Sequence, residues 1–490
     1  MPPMFRLLNL RVPRTVIVIS VTLAFMLAVV AAQKWRLSDG RWLIGGAVLV
    51  AIGWRRQGLV FLLGLLCLCV VAGLLRGTQY MDKKLLYYQL ERQQIVMIAR
   101  ANSDAVYGTK QQLTFEVRDA RLADGRRLVG LLQVSGFGAP MVYKGDWLRI
   151  EGKLLTSRGN VSGRMSFAAI QVVARGSSGI DDVRRRFAAG IQSTVPEPAA
   201  SFGMGLLVGQ RNTLPDDTTE QLQKVGLTHI IAVSGYNLTI IMQAMARLMK
   251  KRSKFQYMFC SVVLLMTFLL LTGQSPSIVR ASVVCGLGLW AWWYGRTINP
   301  LVLLLTAAAI TVAANPLYMW GNVSWMLSFL AFFGVLVVSP AIMQRWFSTR
   351  PPGLIGAMII ESLCAEVMTL PYVLHIFGTL STVSTVANVL VAAFVPLAML
   401  CSLVAGLAGM IIPGFAGWVT WPATWVMTYM LDMVHILSKV PHAFMEHIGF
   451  SAWMLAVSYA VVGIVLLISW HKGRQNGIIT DNTECNVKEL

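Results

Sequence analysis

The sequence predicts an α-helical polytopic membrane protein of about 12 transmembrane helices, with an all-β OB-like domain inserted on the extracytoplasmic side. Three observations carry this. Of 490 residues, 56% are hydrophobic and 13% charged, with a mean hydropathy of +0.62. Soluble cores do not reach that balance. Apolar runs recur along the chain, and clusters of Lys and Arg sit between them in alternation. Between residues 94 and 176 the runs give way to short alternating stretches, as half-buried strands require.

Residues 1–75 form an N-terminal three-helix region. Arg6, Arg11 and Arg14 precede a span at 15–32, and Arg55 and Arg56 follow a short one at 42–53. A third covers 58–75. The basic residues favour a cytoplasmic N-terminus, against the pull of Lys34, Arg36 and Arg41 in the first loop. No small-residue cleavage site follows the first run, so it reads as a retained helix.

Residues 76–186 then lie outside. Leu113, Phe115 and Val117 alternate with polar residues, as do Leu148 and Ile150. Turn signals at 123–125, 136–138, 144–146 and 158–160 separate the runs. A five-stranded OB-like barrel fits this spacing. Arg118, Arg121, Arg126, Arg127, Arg149, Arg158 and Arg164 accompany Phe115, Phe137, Tyr143, Trp147 and Phe167. Arginines pair with phosphates and aromatic rings stack on bases, which suits single-stranded nucleic acid. Arg118, Arg126, Arg127, Tyr143, Trp147 and Arg149 are the candidate DNA-binding set. The alternative is a solvated barrel with an ordinary aromatic core.

An amphipathic, interfacial connector fills 187–227. Gly209, Gln210 and Arg211 open a loop that ends at Pro215, and 216–224 reads as a short surface helix. The membrane domain occupies 228–470. Its first span, 228–249, carries Thr228, His229, Ser234, Gly235 and Asn237 before ending at Lys250, Lys251 and Arg252. Hydrocarbon offers those polar groups no partners, so they should face protein or water. Ser234 and Asn237 are three apart and share a helix face. A packing seam between helices is the plainer reading. Further spans are expected at 255–272, 277–294, 300–314, 322–340, 353–377, 383–412, 415–437 and 452–470. Arg296, Arg345 and Lys472 then fall on the cytoplasmic side, as does a disordered tail within 471–490.

More polar residues recur inside these spans: Arg280, Ser324 and Ser328 at i, i+4, Glu361 and Glu366, His375, and Ser384 with Asn388. Buried charge of this kind marks a functional path or a structural ion pair, such as Arg280 with Glu366. The candidate channel-lining set is His229, Ser234, Asn237, Arg280, Ser324, Ser328, Glu366 and Asn388.

Several function classes lack their motifs. Gly152-Lys153 has neither the preceding glycine spacing nor the following Ser or Thr of a nucleotide loop. Cys67-Leu-Cys69 has no second ligand pair, and His442 and His447 have the wrong spacing for a zinc protease. No cofactor, metal or catalytic residue is expected, and no enzyme. The net charge of +20 is partly the cytoplasmic bias of membrane loops.

Gly205-Leu-Leu-Val-Gly-Gln-Arg211, Leu214-Pro215 and Gly226-Leu-Thr-His-Ile-Ile-Ala-Val-Ser-Gly235 together resemble the core of the ComEC competence family. Thr272-Gly-Gln-Ser-Pro-Ser-Ile-Val-Arg-Ala281, Asn315 to Ala331, and Leu370 to Gly378 with Ala387-Asn388 and Pro396 resemble its later signatures, in order. Tyr236-Asn237 departs from the Leu-His of many members. The resemblance implies an inner-membrane channel that passes single-stranded DNA into the cytoplasm during natural transformation. It implies an extracytoplasmic DNA receptor, a cytoplasmic helicase-type ATPase and contact with membrane lipids. Many members carry a C-terminal metallo-β-lactamase-like domain. Its His-x-His-x-Asp-His cluster is absent from this sequence, so a separate nuclease is expected to degrade the second strand. The rival readings are a transporter of another anionic polymer or lipid-linked substrate, and an intramembrane enzyme using His229 or His375 with Glu366.

Overall fold

The computed structural model describes residues 13–37, 40–53, 59–107, 112–137, 141–157, 161–176, 179–209, 214–231, 235–249, 252–272, 276–347, 352–412 and 416–475. Gln210, Arg211 and Ser234 lie outside the described residues. The chain divides into two compact units, one of residues 1–182 and 305–326 and one of 183–304 and 327–490.

The first unit opens with α1 (Arg14–Ala31), α2 (Trp42–Gly53) and α3 (Leu59–Gln89). α3 does not stop at residue 75. It has no proline, and Leu86, Tyr87 and Leu90 continue its packed face. At 1.5 Å per residue its 31 residues reach about 46 Å. A Cβ on Gly73 would meet the Phe25 carbonyl at 2.6 Å, and one on Gly77 would meet Ala32 Cβ at 2.4 Å. The two helices therefore touch along a small-xxx-small seam. Arg76 donates from Nε to the Ala313 carbonyl at 2.7 Å and from Nη2 to that of Ala314 at 2.9 Å. Those carbonyls end a helix and lack partners of their own.

Seven strands follow: β1 (Gln94–Ala101), β2 (Val106–Tyr107), β3 (Leu113–Leu122), β4 (Arg127–Leu128), β5 (Leu132–Phe137), β6 (Trp147–Thr156) and β7 (Gly163–Ala174). β1 pairs antiparallel with β3 and β6, β3 with β5, and β6 with β7. β5 and β7 run parallel and close the ring of five long strands. Inward residues alternate strictly in β6, where Leu148, Ile150 and Leu154 are buried. Phe115 belongs to this core with Leu113 and Val117, so it is not available to a ligand. Tyr87 of α3 is fully buried against the barrel and donates to the Val129 carbonyl at 3.0 Å.

The remaining helices are α4 (Gly179–Gln192), α5 (Ala199–Val208), α6 (Asp216–Lys224), α7 (Thr228–Ile231), α8 (Gly235–Leu248), α9 (Lys254–Thr272), α10 (Pro276–Trp293), α11 (Pro300–Ala314), α12 (Leu317–Gly321), α13 (Val323–Phe333), α14 (Ser339–Trp346), α15 (Leu354–Phe377), α16 (Ser384–Ala387), α17 (Val395–Ile411), α18 (Ala416–Ser438) and α19 (Ala452–Gln475). A short ribbon joins β8 (Leu380–Ser381) to β9 (Phe444–Met445).

Two expectations change. The connector does not stay at an interface: Ala199, Phe202, Met204 and Leu206 of α5 are buried in the main core of the second unit. α5 is apolar on every face, and such a helix belongs inside. The described parts of the span expected at 228–249 are helical, α7 before residues 232–234 and α8 after them. The one expected at 383–412 is broken. A π-helical turn at Asn388–Ala392 follows α16, and the axis bends by 46° into α17. Pro396 sits at the start of α17, where its missing N–H costs least. Four described helical segments are long and apolar enough to cross a membrane, Arg14–Ala31, Val60–Gln89, Val323–Trp346 and Gly356–Phe377, or five with the bent pair. Shorter apolar helices cover Lys254–Leu270, Ser277–Trp293, Pro300–Ala314 and Ala452–Leu466.

Candidate functional site

Arg280 is the central residue of the helical site. It lies in the first half of α10 and is 6% exposed. A guanidinium taken out of water needs other partners. Its Nη1 donates to the Ser328 carbonyl of α13 in a short hydrogen bond. Its plane sits 4.8 Å from the ring centroid of Phe332 and 5.7 Å from that of Phe329. Aromatic faces attract cations and part-replace the lost water. Nε has no partner, and no carboxylate pairs with Arg280 among the described residues. Ser277 Oγ and Ser328 Oγ lie 3.2 Å apart beside it.

Gly235 makes room for this arrangement. A Cβ there would lie 2.7 Å from Arg280 Nη2. A buried guanidinium with no carboxylate beside it among the described residues attracts an anion.

Glu366 does not answer that charge. Both its oxygens accept short hydrogen bonds, from Ser384 Oγ and Thr385 Oγ1. The expected alternative of an Arg280–Glu366 ion pair is thus replaced by two separate polar groups. Around Glu366 the loop before α7 closes in: a Cβ on Gly226, at φ 80°, would lie 2.9 Å from Ser384 Cβ. His229 Nδ1 is 3.1 Å from the Gly226 carbonyl. His229 is exposed. Asn388 Oδ1 is a buried acceptor with no partner.

Asn237 packs toward α5. It is 1% exposed, and its Nδ2 donates to the Leu206 carbonyl at 2.9 Å. That bond fastens the end of α5. Ser324 is exposed one turn before Ser328. His375 is tied elsewhere, its Nδ1 lying 3.0 Å from the Phe450 carbonyl. Sequence reasoning missed Phe329, Phe332 and Thr385. An aromatic pair three apart on the helix of Ser328 was the one available signal.

The barrel carries the second expected site. Strand register aligns Arg118 of β3 with Arg100 of β1, and Arg100 with Trp147 of β6. The next row holds Arg121, Ile98 and Arg149, and Arg127 of β4 pairs with Arg121. All these residues alternate with core positions, so they share the outer face. Arg121, Arg127 and Arg149 are exposed, with no carboxylate partner among the described residues. Arg126 differs: its Nε and Nη2 each lie 2.6 Å from Asp124 Oδ2. Hydrogen bonds from that guanidinium hold the Asp124 carboxyl below its usual range. Arg126 closes its own turn. Tyr143 lies under Arg175, 5.4 Å from ring centroid to guanidinium, and its hydroxyl donates to Met141 Sδ.

Residues 206–472 match the family described as Competence protein. That is more than half of the chain, and it contains every residue of the helical site. The chain belongs to the competence protein family. Among curated competence relatives, ComE operon protein 3 of Bacillus subtilis (strain 168) is 25% identical over 324 residues. The alignment covers 63% of this chain and 39% of that protein, so the chain spans well under half of the relative it matches. No solved structure matches. The apolar helices of the chain fit a multi-pass membrane protein.

Proposed function

We propose that this competence-family protein is the inner-membrane channel that passes single-stranded DNA into the cytoplasm during natural transformation. About twelve spans would carry it, with both termini cytoplasmic and the barrel, read as OB-like, outside. The observation that supports this best is Arg280. It is a buried cation held by one carbonyl and two rings, with no carboxylate to neutralise it among the described residues. A phosphate can meet that charge in passing. A resident carboxylate would block it, and tight binding would stall conduction.

The exposed arginines of the barrel would gather the strand before it enters. Nothing in the chain supplies a nucleotide loop, so force would come from a cytoplasmic helicase-type ATPase. An extracytoplasmic receptor would deliver DNA and a separate nuclease would remove the second strand. The protein itself would act as a conduit and not as an enzyme.

The test is import of fluorescent DNA in a host lacking this gene, scored apart from surface capture. Wild type should restore import and Arg280→Leu should not, with equal protein in the membrane. Normal import by Arg280→Leu would overturn the proposed path.

A further inference from the structure

Phe167 is 78% exposed and has φ 57°, the left-handed region where a bulky side chain is out of place. Glycine or asparagine would sit there more easily. An exposed ring also adds nothing to the core. The strain is imposed by a bulge that both neighbouring strands register. Pairing slips between Val134 and Gly136 on β5, and between Glu151 and Lys153 on β6. Bulges re-aim side chains. Here two successive residues, Ser166 and Phe167, both face outward before Ala168 turns in.

Phe137 stands beside it at the end of β5 and is 44% exposed. The ring centroids are 6.4 Å apart with the planes 29° from parallel. Gly136 makes this approach possible, since a Cβ there would fall 2.0 Å from the Ala168 carbonyl. The surroundings are polar. Exposed Lys153 pairs in register with Ser166, Arg149 with Gln171, and exposed Arg164 precedes the bulge on β7. Neither Lys153 nor Arg164 has a carboxylate partner among the described residues. A protein or lipid contact would call for a broader apolar patch. Two stacked rings with cations about one strand spacing away suit a base and its flanking phosphates.

We propose that Phe137 and Phe167 form a base-stacking platform for single-stranded DNA. It rests on the reading that the barrel holds such a strand, and it lies apart from the Arg118–Arg100–Trp147 row. The rows of arginines take phosphates at any sequence. The phenyl pair takes a nucleobase.

The test uses the full chain in lipid nanodiscs and fluorescence anisotropy with two labelled probes, oligothymidylate and an abasic strand of equal length. Wild type should bind the base-bearing strand about tenfold more tightly. Phe167→Leu with Phe137→Leu should bring the two probes to parity and leave the salt dependence unchanged. Phe167→Gly should also lose the preference, with a thermal midpoint at or above wild type because glycine relieves the left-handed backbone. Phe167→Trp should keep the preference. An unchanged preference in the Leu variant overturns the platform, as does a wild type that binds both probes equally. A Leu variant that instead leaves the nanodisc more readily would mean the rings face lipid, and that too overturns it. A wild type that binds neither probe at low salt refutes the DNA-holding role of the barrel itself.

Discussion

The barrel and the helical site use the same cation under opposite conditions. Arg121, Arg127 and Arg149 stand in water on a strand face, where salt screens them and a ligand can leave freely. Arg280 is buried between α8, α10 and α13, with one carbonyl, two rings and an unpartnered Nε. Screening barely reaches it. On the proposed function, many weak exposed charges would suit capture along a length of strand, and one desolvated charge would suit a constriction that each phosphate meets in turn.

The largest expected effect breaks the buried half of that comparison. Arg280→Leu should lower DNA import by about 10- to 100-fold, from loss of a charged hydrogen-bonding group, with protein level unchanged on membrane blots. Arg280→Lys should not restore it fully, since an ammonium cannot span the Ser328 carbonyl and the Phe332 face together. Next comes Gly235→Ala. Its methyl group would lie 2.7 Å from Arg280 Nη2, and overpacking of that order costs about 1–3 kcal/mol. Transformation frequency should fall about tenfold. Wild-type frequency would mean the guanidinium can move away without consequence.

A third variant sharpens the exposed half. Arg121→Gln, Arg127→Gln and Arg149→Gln together should reduce the slope of log affinity for single-stranded DNA against log salt by about 2. The same slope should hardly change in Arg280→Leu. Equal changes in both would erase the distinction between the two regions. The smallest effect concerns Glu116 on β3. Burial pushes its carboxyl above the usual range, partly opposed by a hydrogen bond from Asn102. The native state then holds this proton at a pH where the unfolded chain has lost it. Stability from the group is full below the unfolded value of about 4.3 and is lost as pH rises through the folded one. Glu116→Gln should therefore raise the thermal midpoint of the barrel at pH 7 and leave it unchanged near pH 3.

Much of this could be read from the sequence, and the misses have physical causes. Residues 300–314 form a helix with the expected ends. Strand parity alone puts Phe115 beside Leu113 and Val117 in the core, so its place there was legible. Phe167 was not, because a bulge shifts parity by one and nothing local announces it. Arg280 stood out as a charge in an apolar run. Its independence from Glu366 depends on two hydroxyls, Ser384 and Thr385, that only the folded chain brings to that carboxylate. Helical spacing gives Asn237 a face and not a partner. The carbonyl of Leu206, distant in sequence, claims it. The interior position of α5 was available from its uniformly apolar surface.

α3 continues without a break from the apolar seam with α1 into the base of the barrel, where Tyr80, Lys84 and Tyr87 bond to Ser162, Ser157 and Val129. A helix is stiff along its axis, because its hydrogen bonds run in that direction. A strand drawn from the barrel under tension would therefore load α3 as a column. The glycine seam with α1 would act as its footing, and the three side chains at its top would resist rotation of the barrel about that column.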